Sequence, residues 1–154
     1  MTDNITTEIQ GLDKLITRLS RVASAQYMTG TMQAATDIIR HEIMISPPET
    51  AANQPGARRW YERGFGPRWM RRDGSIGGTR TSETLTRKWT TRVEDGGLTG
   101  IVGNNASYAQ VVQSARQQSR VMADIGWKTD EEVARKQQPA IVRLFKTAIE
   151  RALG

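Results

Sequence analysis

The order of hydrophobic periods along the chain predicts an α+β domain, with a small antiparallel sheet, two N-terminal helices, a long C-terminal helix and an extended basic loop. Three observations carry that prediction. Apolar residues recur at three- and four-residue spacing near both ends of the sequence. Around Asp95-Gly96-Gly97 the period changes to two, as a hairpin requires. Between these regions a stretch crowded with glycine and arginine follows neither period. A length of 154 residues suits one domain spanning 1–154, in which 47–80 forms a long extended loop or arm.

Ile5 to Gln10 alternates weakly and ends at Gly11, which suits a short strand. Leu12, Leu15, Ile16, Leu19, Val22 and Ala23 then mark an amphipathic helix reaching about Tyr27. Thr29 and Gly30 interrupt it, and a second helix carries Met32, Ala35, Ile38, Ile39 and Ile43 until Ser46-Pro47-Pro48 stops it. Beyond the basic stretch, Thr81 to Lys88 has room for one or two helical turns. Trp89, Thr91 and Val93 alternate with Thr90, Arg92 and Glu94, and Leu98 to Gly103 forms the second arm of the hairpin. Ala106 to Ser114 reads as a short helix, and residues 115 to 127 are ambiguous, although Val121, Ala123 and Ile125 alternate as a further strand would. Thr129 and Glu132 have capping-box spacing, opening a helix that carries Val133, Ala140, Ile141, Leu144, Phe145, Ala148, Ile149 and Leu153. Pro139 should kink or divide that helix. Glu131 to Arg135 and Glu132 to Lys136 are spaced for ion pairs on an exposed helix face.

The chain holds 22 Lys plus Arg against 16 Asp plus Glu, a formal net charge of +6. Five of those six charges lie between Ala57 and Arg80, where seven arginines face only Glu62 and Asp73. Aromatic residues interleave with them, so the candidate contact residues are Arg58, Arg59, Trp60, Tyr61, Arg63, Phe65, Arg68, Trp69, Arg71 and Arg72. Guanidinium groups neutralise phosphates and rings stack on bases, which suits nucleic acid. The same residue types dominate protein–protein hot spots. A solvated flexible loop is the third reading.

Chemistry is excluded more readily than it is found. The chain has no cysteine and one histidine, so thiolate nucleophiles, disulfides, Cys-based metal sites and multi-His centres are ruled out. His41 has no spaced partner and reads as a surface or edge-of-core residue. Asp37 and Glu42 are not one helical turn apart, and Glu94 and Asp95 are neighbours on a strand, so no carboxylate pair is set for acid–base work. Gly64-Phe65-Gly66 and Gly74 to Gly78 lack the lysine or the full spacing of a phosphate loop. No enzymatic activity, cofactor or metal is expected. No run approaches the roughly 18 to 20 apolar residues of a membrane span. Met1-Thr2-Asp3-Asn4 shows no basic leader with an apolar stretch behind it, so the expectation is a soluble protein kept within a cell or a particle assembled there.

The run Arg92-Val93-Glu94-Asp95-Gly96-Gly97, followed by Gly100-Ile101-Val102-Gly103-Asn104-Asn105-Ala106-Ser107-Tyr108-Ala109-Gln110-Val111-Val112-Gln113, resembles the core of the small neck proteins of long-tailed bacteriophages. In that family a hairpin ends in a Val-Gly-Asn/Ser-x turn and leads into a Tyr-Ala helix followed by an acidic or amide residue. Gly11-Leu12-Asp13-Lys14-Leu15, with the helices around Ala35 and Ile39, resembles its opening segment. The family is similar to the tail-completion, or minor tail protein Z, group of lambda-like phages. One departure is that family members show a Glu-x-Gly segment where Gln113 is here followed by Ser114-Ala115-Arg116.

The resemblance implies a structural virion protein, a head–tail joining or connector component made in the host cytoplasm. It implies a homo-oligomeric ring of six copies at the junction of portal and tail tube, touching neighbouring neck, tail-terminator or tail-tube proteins. It supplies no catalytic residues. Arginines of 57–80 would then meet a neighbouring subunit or, if they faced the lumen, genomic DNA without sequence preference. A nucleic-acid-binding module using that stretch is the alternative.

Overall fold

The structure, a computed structural model, describes residues 12–22, 24–78 and 83–153. In chain order these form α1 (Leu12–Val22), α2 (Ala25–Ile43), β1 (Arg59–Glu62), β2 (Gly66–Met70), β3 (Ile76–Gly77), α3 (Thr84–Arg87), β4 (Trp89–Glu94), β5 (Thr99–Asn104), α4 (Ala109–Gln113), α5 (Arg120–Ile125) and α6 (Asp130–Leu153). The architecture is the expected α+β, but with two small antiparallel sheets instead of one: β1-β2-β3 and β4-β5. The short strand read at Ile5 to Gln10 lies outside the described residues.

The helix α2 is the spine. Along one side it packs antiparallel to α6, because Tyr27 donates its hydroxyl to the Ala148 carbonyl near one end. Near the other end, Glu42 Oε1 accepts from Lys128 Nζ at 2.5 Å and Lys136 Nζ at 2.7 Å. Ala35 and Ile43 on α2 and Val133 and Ala152 on α6 are buried, Val133 completely. Along another side α2 carries the β4–β5 hairpin, whose register runs from Trp89↔Asn104 to Glu94↔Thr99. Gln33 Nε2 donates to Thr91 Oγ1 at 3.0 Å. A Cβ at Gly100 would come within 2.5 Å of Thr36 Cγ2, so glycine lets that strand lie close on the helix.

The break between the first two helices falls at Ser24, not at Thr29-Gly30. Ser24 is extended (φ −65°, ψ 126°) and its Oγ donates to Arg21 O at 2.8 Å, ending α1 five residues before the expected limit at about Tyr27. A helix-interior glycine costs about 1 kcal/mol relative to alanine, which tertiary packing readily outweighs. Here the hairpin turn supplies that packing, since Gly97 abuts the backbone of Met28 and Thr29. No side chain could replace it: Gly97 has φ +94° and its Cβ would strike the Thr29 amide nitrogen.

The interval 115–127, which the sequence leaves open between helix and strand, holds the helix α5. Ser119 accepts from Met122 N at 3.4 Å at its start and Gly126, at φ +99°, ends it in left-handed geometry. Spacing of two and four residues between Val121, Ala123 and Ile125 suits either period over so short a run, and the caps decide. Ala109–Gln113 forms the short helix expected after the hairpin. Before the hairpin α3 is a single turn. Ile125 joins Leu85, Ala106, Ala109, Val112 and Trp127 in one apolar cluster.

The capping box forms as read: Thr129 N donates to Glu132 Oε2 at 2.8 Å, and Glu132 N to Thr129 Oγ1 at 3.2 Å. The helix α6 then runs undivided through Pro139. That residue is exposed, so the carbonyl of Arg135, which loses its usual N–H partner, can turn to water. Glu131 pairs with Arg135 at 2.9 Å as expected. Glu132 does not pair with Lys136; it is engaged in the cap, and Lys136 reaches Glu42 instead.

The largest departure lies between 57 and 78. In place of an extended loop without periodic elements stands a three-stranded antiparallel meander, registered Arg59↔Trp69, Trp60↔Arg68 and Trp69↔Gly77. Its glycines make the reversals between strands: Gly64 (φ +80°) sits in the first turn and Gly74 (φ +82°) in the second. The meander is seated on the body, because Trp60 is only 1% exposed and Tyr61 meets Trp127 edge to face with ring centroids 5.0 Å apart. Asn53, buried in the preceding segment, accepts from Tyr61 N at 2.6 Å and donates to Pro48 O at 2.9 Å, pinning that segment to β1.

Candidate functional site

Burial sorts the ten candidate contact residues into two groups. Trp60 is core, which corrects its reading as a contact residue: strand alternation turns it inward while Arg59 beside it stays exposed. Tyr61 is half-buried against Trp127, and burial pushes its hydroxyl above the ordinary phenol range. Arg68 is largely committed within the meander, its Nε 3.0 Å from Glu62 Oε2 and its guanidinium 4.6 Å from the centre of the half-buried Phe65 ring. The exposed residues are Arg58, Arg59, Arg63, Trp69, Arg71 and Arg72.

Trp69 is held in place although it is 43% exposed. On the neighbouring strands it lies opposite Arg59 and Gly77, and its indole occupies the space where a side chain at Gly77 would stand. The turn after Met70 is built by Asp73, whose Oδ1 accepts from Ser75 N at 2.9 Å and Ser75 Oγ at 2.6 Å. Those bonds hold the Asp73 carboxyl below its ordinary range. Arg71 N donates to Ser75 O at 2.8 Å, closing the turn.

Between the meander and α5 runs a groove of about 440 Å³. Arg58, Arg59 and Trp69 line it from the meander, and Val121, Met122 and Ile125 from α5. It continues into a second hollow that shares Arg58, Arg59, Val121 and Ile125 and adds Asp124. A groove lined by both apolar side chains and guanidinium groups can take an apolar anchor with a carboxylate beside it. The sequence does not point to the α5 side because 115 to 127 is ambiguous between helix and strand; Ser119 and Gly126, bracketing six residues, are the available signal.

Several titratable residues outside this groove are engaged in contacts of the fold. His41 is exposed on α2. Asp37 accepts from Gln33 Nε2 at 3.2 Å and lies 3.6 Å from Arg40. Arg92 reaches Glu94 at 2.7 Å. Hydrogen bonds from Lys128 and Lys136 hold the Glu42 carboxyl at about 2, against an ordinary 4.5. Gln113, which the family resemblance singled out as the amide after the Tyr-Ala helix, is buried and donates to Ile43 O at 2.8 Å, joining α4 to the end of α2. Among the described residues no three His, Asp or Glu side chains gather to hold a metal ion, and no helix is long and apolar enough to cross a membrane. No protein-family model, curated protein or solved structure matches this chain.

Proposed function

We propose that the protein is a structural component of a phage neck, assembling with its own copies into a ring that completes the tail and joins it to the head. The observation that carries this reading is the placement of exposed apolar side chains on separate parts of the molecule. Leu98 at the hairpin turn is 70% exposed, Trp69 and Met70 stand out from the meander, and Leu15, Ile16 and Leu19 line α1. A ring closed by head-to-tail contacts needs two different patches on each subunit, and neighbouring components of the particle need more. The resemblance of Arg92 to Gln113 to neck proteins supports the same reading. Mass spectrometry of purified virions, followed by electron cryo-microscopy of the neck, tests it: the protein should be present as a ring, and its absence from virions overturns the proposal.

The exposed arginines beside Trp69 favour a second reading, a surface for nucleic acid. Its arginines would bind phosphates while the indole stacks on a base. Binding should weaken steeply with salt and disappear when Arg58, Arg59, Arg71 and Arg72 become alanine. Absence of DNA or RNA affinity at low salt removes this reading.

A further inference from the structure

We propose that the hairpin turn of one copy seats in the meander–α5 groove of the next, so that the copies join head to tail. This rests on the ring reading and names the surfaces that would form the ring. The turn, the ridge of this contact, is acidic with an apolar tip: Glu94 and Asp95, the latter accepting from Thr99 Oγ1 at 2.6 Å, precede Leu98, the most exposed large apolar side chain among the described residues. The groove offers the complement, since Arg58 and Arg59 line it together with Trp69, Val121 and Met122. Allowing for the Arg92–Glu94 pair on the ridge, and for Asp124 and the Arg68–Glu62 pair on the groove, each side keeps one unbalanced charge, negative on the ridge and positive on the groove. Leucine fits the apolar lining, and Asp95 supplies a second carboxylate to a groove where Asp124 faces two arginines.

The two surfaces sit toward opposite ends of α2. The turn rests on Met28 and Thr29 through Gly97. At the other end, Gly126, which closes α5, faces Pro47 and Pro48 just beyond the helix. Thr29 to Ile43 is 14 residue steps, about 21 Å of helix at 1.5 Å per residue. Ridge and groove therefore cannot meet within one chain. Matching one copy's ridge to another's groove leaves a free groove and a free ridge at the two ends, the heterologous contact that propagates until a ring closes.

The absence of native cysteine permits a direct test. A Leu98→Cys, Val121→Cys double variant, oxidised at high protein concentration, should give a ladder of dimers, trimers and larger species on a non-reducing gel. Either single variant should give no more than dimers. Sedimentation should show self-association weakened at least tenfold by Arg58→Glu with Arg59→Glu, and restored when Glu94→Arg and Asp95→Arg are added. Circular dichroism checks that each variant folds, and all four exchanged side chains are outside the core. No ladder beyond dimers overturns the proposal, as does self-association unchanged by the charge reversals. Loss of DNA binding or of particle incorporation without loss of self-association would assign the groove to another occupant and overturn it too. If the contact fails while the protein is found in virions, the neck reading stands; a ladder from a protein absent from virions leaves the contact and removes the neck.

Discussion

The β4–β5 hairpin and the β1–β3 meander are both small antiparallel sheets, yet they are held by different means. The hairpin is supported along its length: six pairs lie in register, α2 backs one face, and glycine at positions 97 and 100 brings strand and helix backbones together. The meander depends on a few anchors. Trp60 and Tyr61 enter the body, Asn53 ties the approach, and most remaining positions face solvent or the groove. A sheet backed by a helix alternates visibly in sequence. A sheet held by anchors leaves most of its side chains free for other uses, and its sequence shows composition in place of period.

Removing an anchor should produce the largest effect. Trp60→Ala should lower the unfolding free energy by about 3 to 5 kcal/mol in chemical denaturation. A change near zero would restore the view of 47–80 as an extended loop or arm. Next comes the seam between hairpin and helix: Gly97→Ala should cost about 2 kcal/mol or more, because a methyl group meets the Thr29 backbone at a positive φ. Its counterpart on the other side of that seam has the opposite sign. Gly30 has open space around its Cβ position, so Gly30→Ala should stabilise by about 0.5 to 1 kcal/mol, read as a raised Tm.

Glu42 tests the joint where α2 meets α6. Its carboxyl is lowered in the folded state to about 2, so its contribution is complete above about pH 4.5 and is lost as pH falls through 2. Glu42→Gln should remove about 1 to 2 kcal/mol at pH 7 and flatten the stability profile in that acid window. The smallest effect belongs to the exposed Glu131–Arg135 pair, where Arg135→Ala should change stability by less than about 0.5 kcal/mol, and less still in high salt. A larger loss there would mean that the first turns of α6 carry a contact beyond the pair itself.

Much of the fold was legible because its signals are local. Asp95-Gly96-Gly97 marks a turn by backbone conformation, Thr129 and Glu132 close a capping box within four residues, and Pro47-Pro48 follows the end of α2. The helix break was misplaced because Gly30 looks like a stop until the hairpin that packs beside it is known. The segment after Ser119 is ambiguous in sequence because six residues are too few to separate the two periods. For the candidate site, the arginines and aromatics were found by composition, but their division into anchors and exposed groups was not. Trp60 and Trp69 are both tryptophans in the same basic stretch; one is core and the other surface.

What the sequence determined alone is therefore the α+β class, the hairpin, the capped terminal helix, and the concentration of charge and rings between Ala57 and Arg80. Each follows from local propensity or from side-chain chemistry, which neighbouring residues suffice to express. The tertiary structure decided the meander, the length of α2, the use of Lys136 for Glu42 instead of Glu132, and the groove against α5. These depend on groups far apart in the chain competing for the same space and the same hydrogen bonds, and that competition is resolved only when the chain has closed on itself.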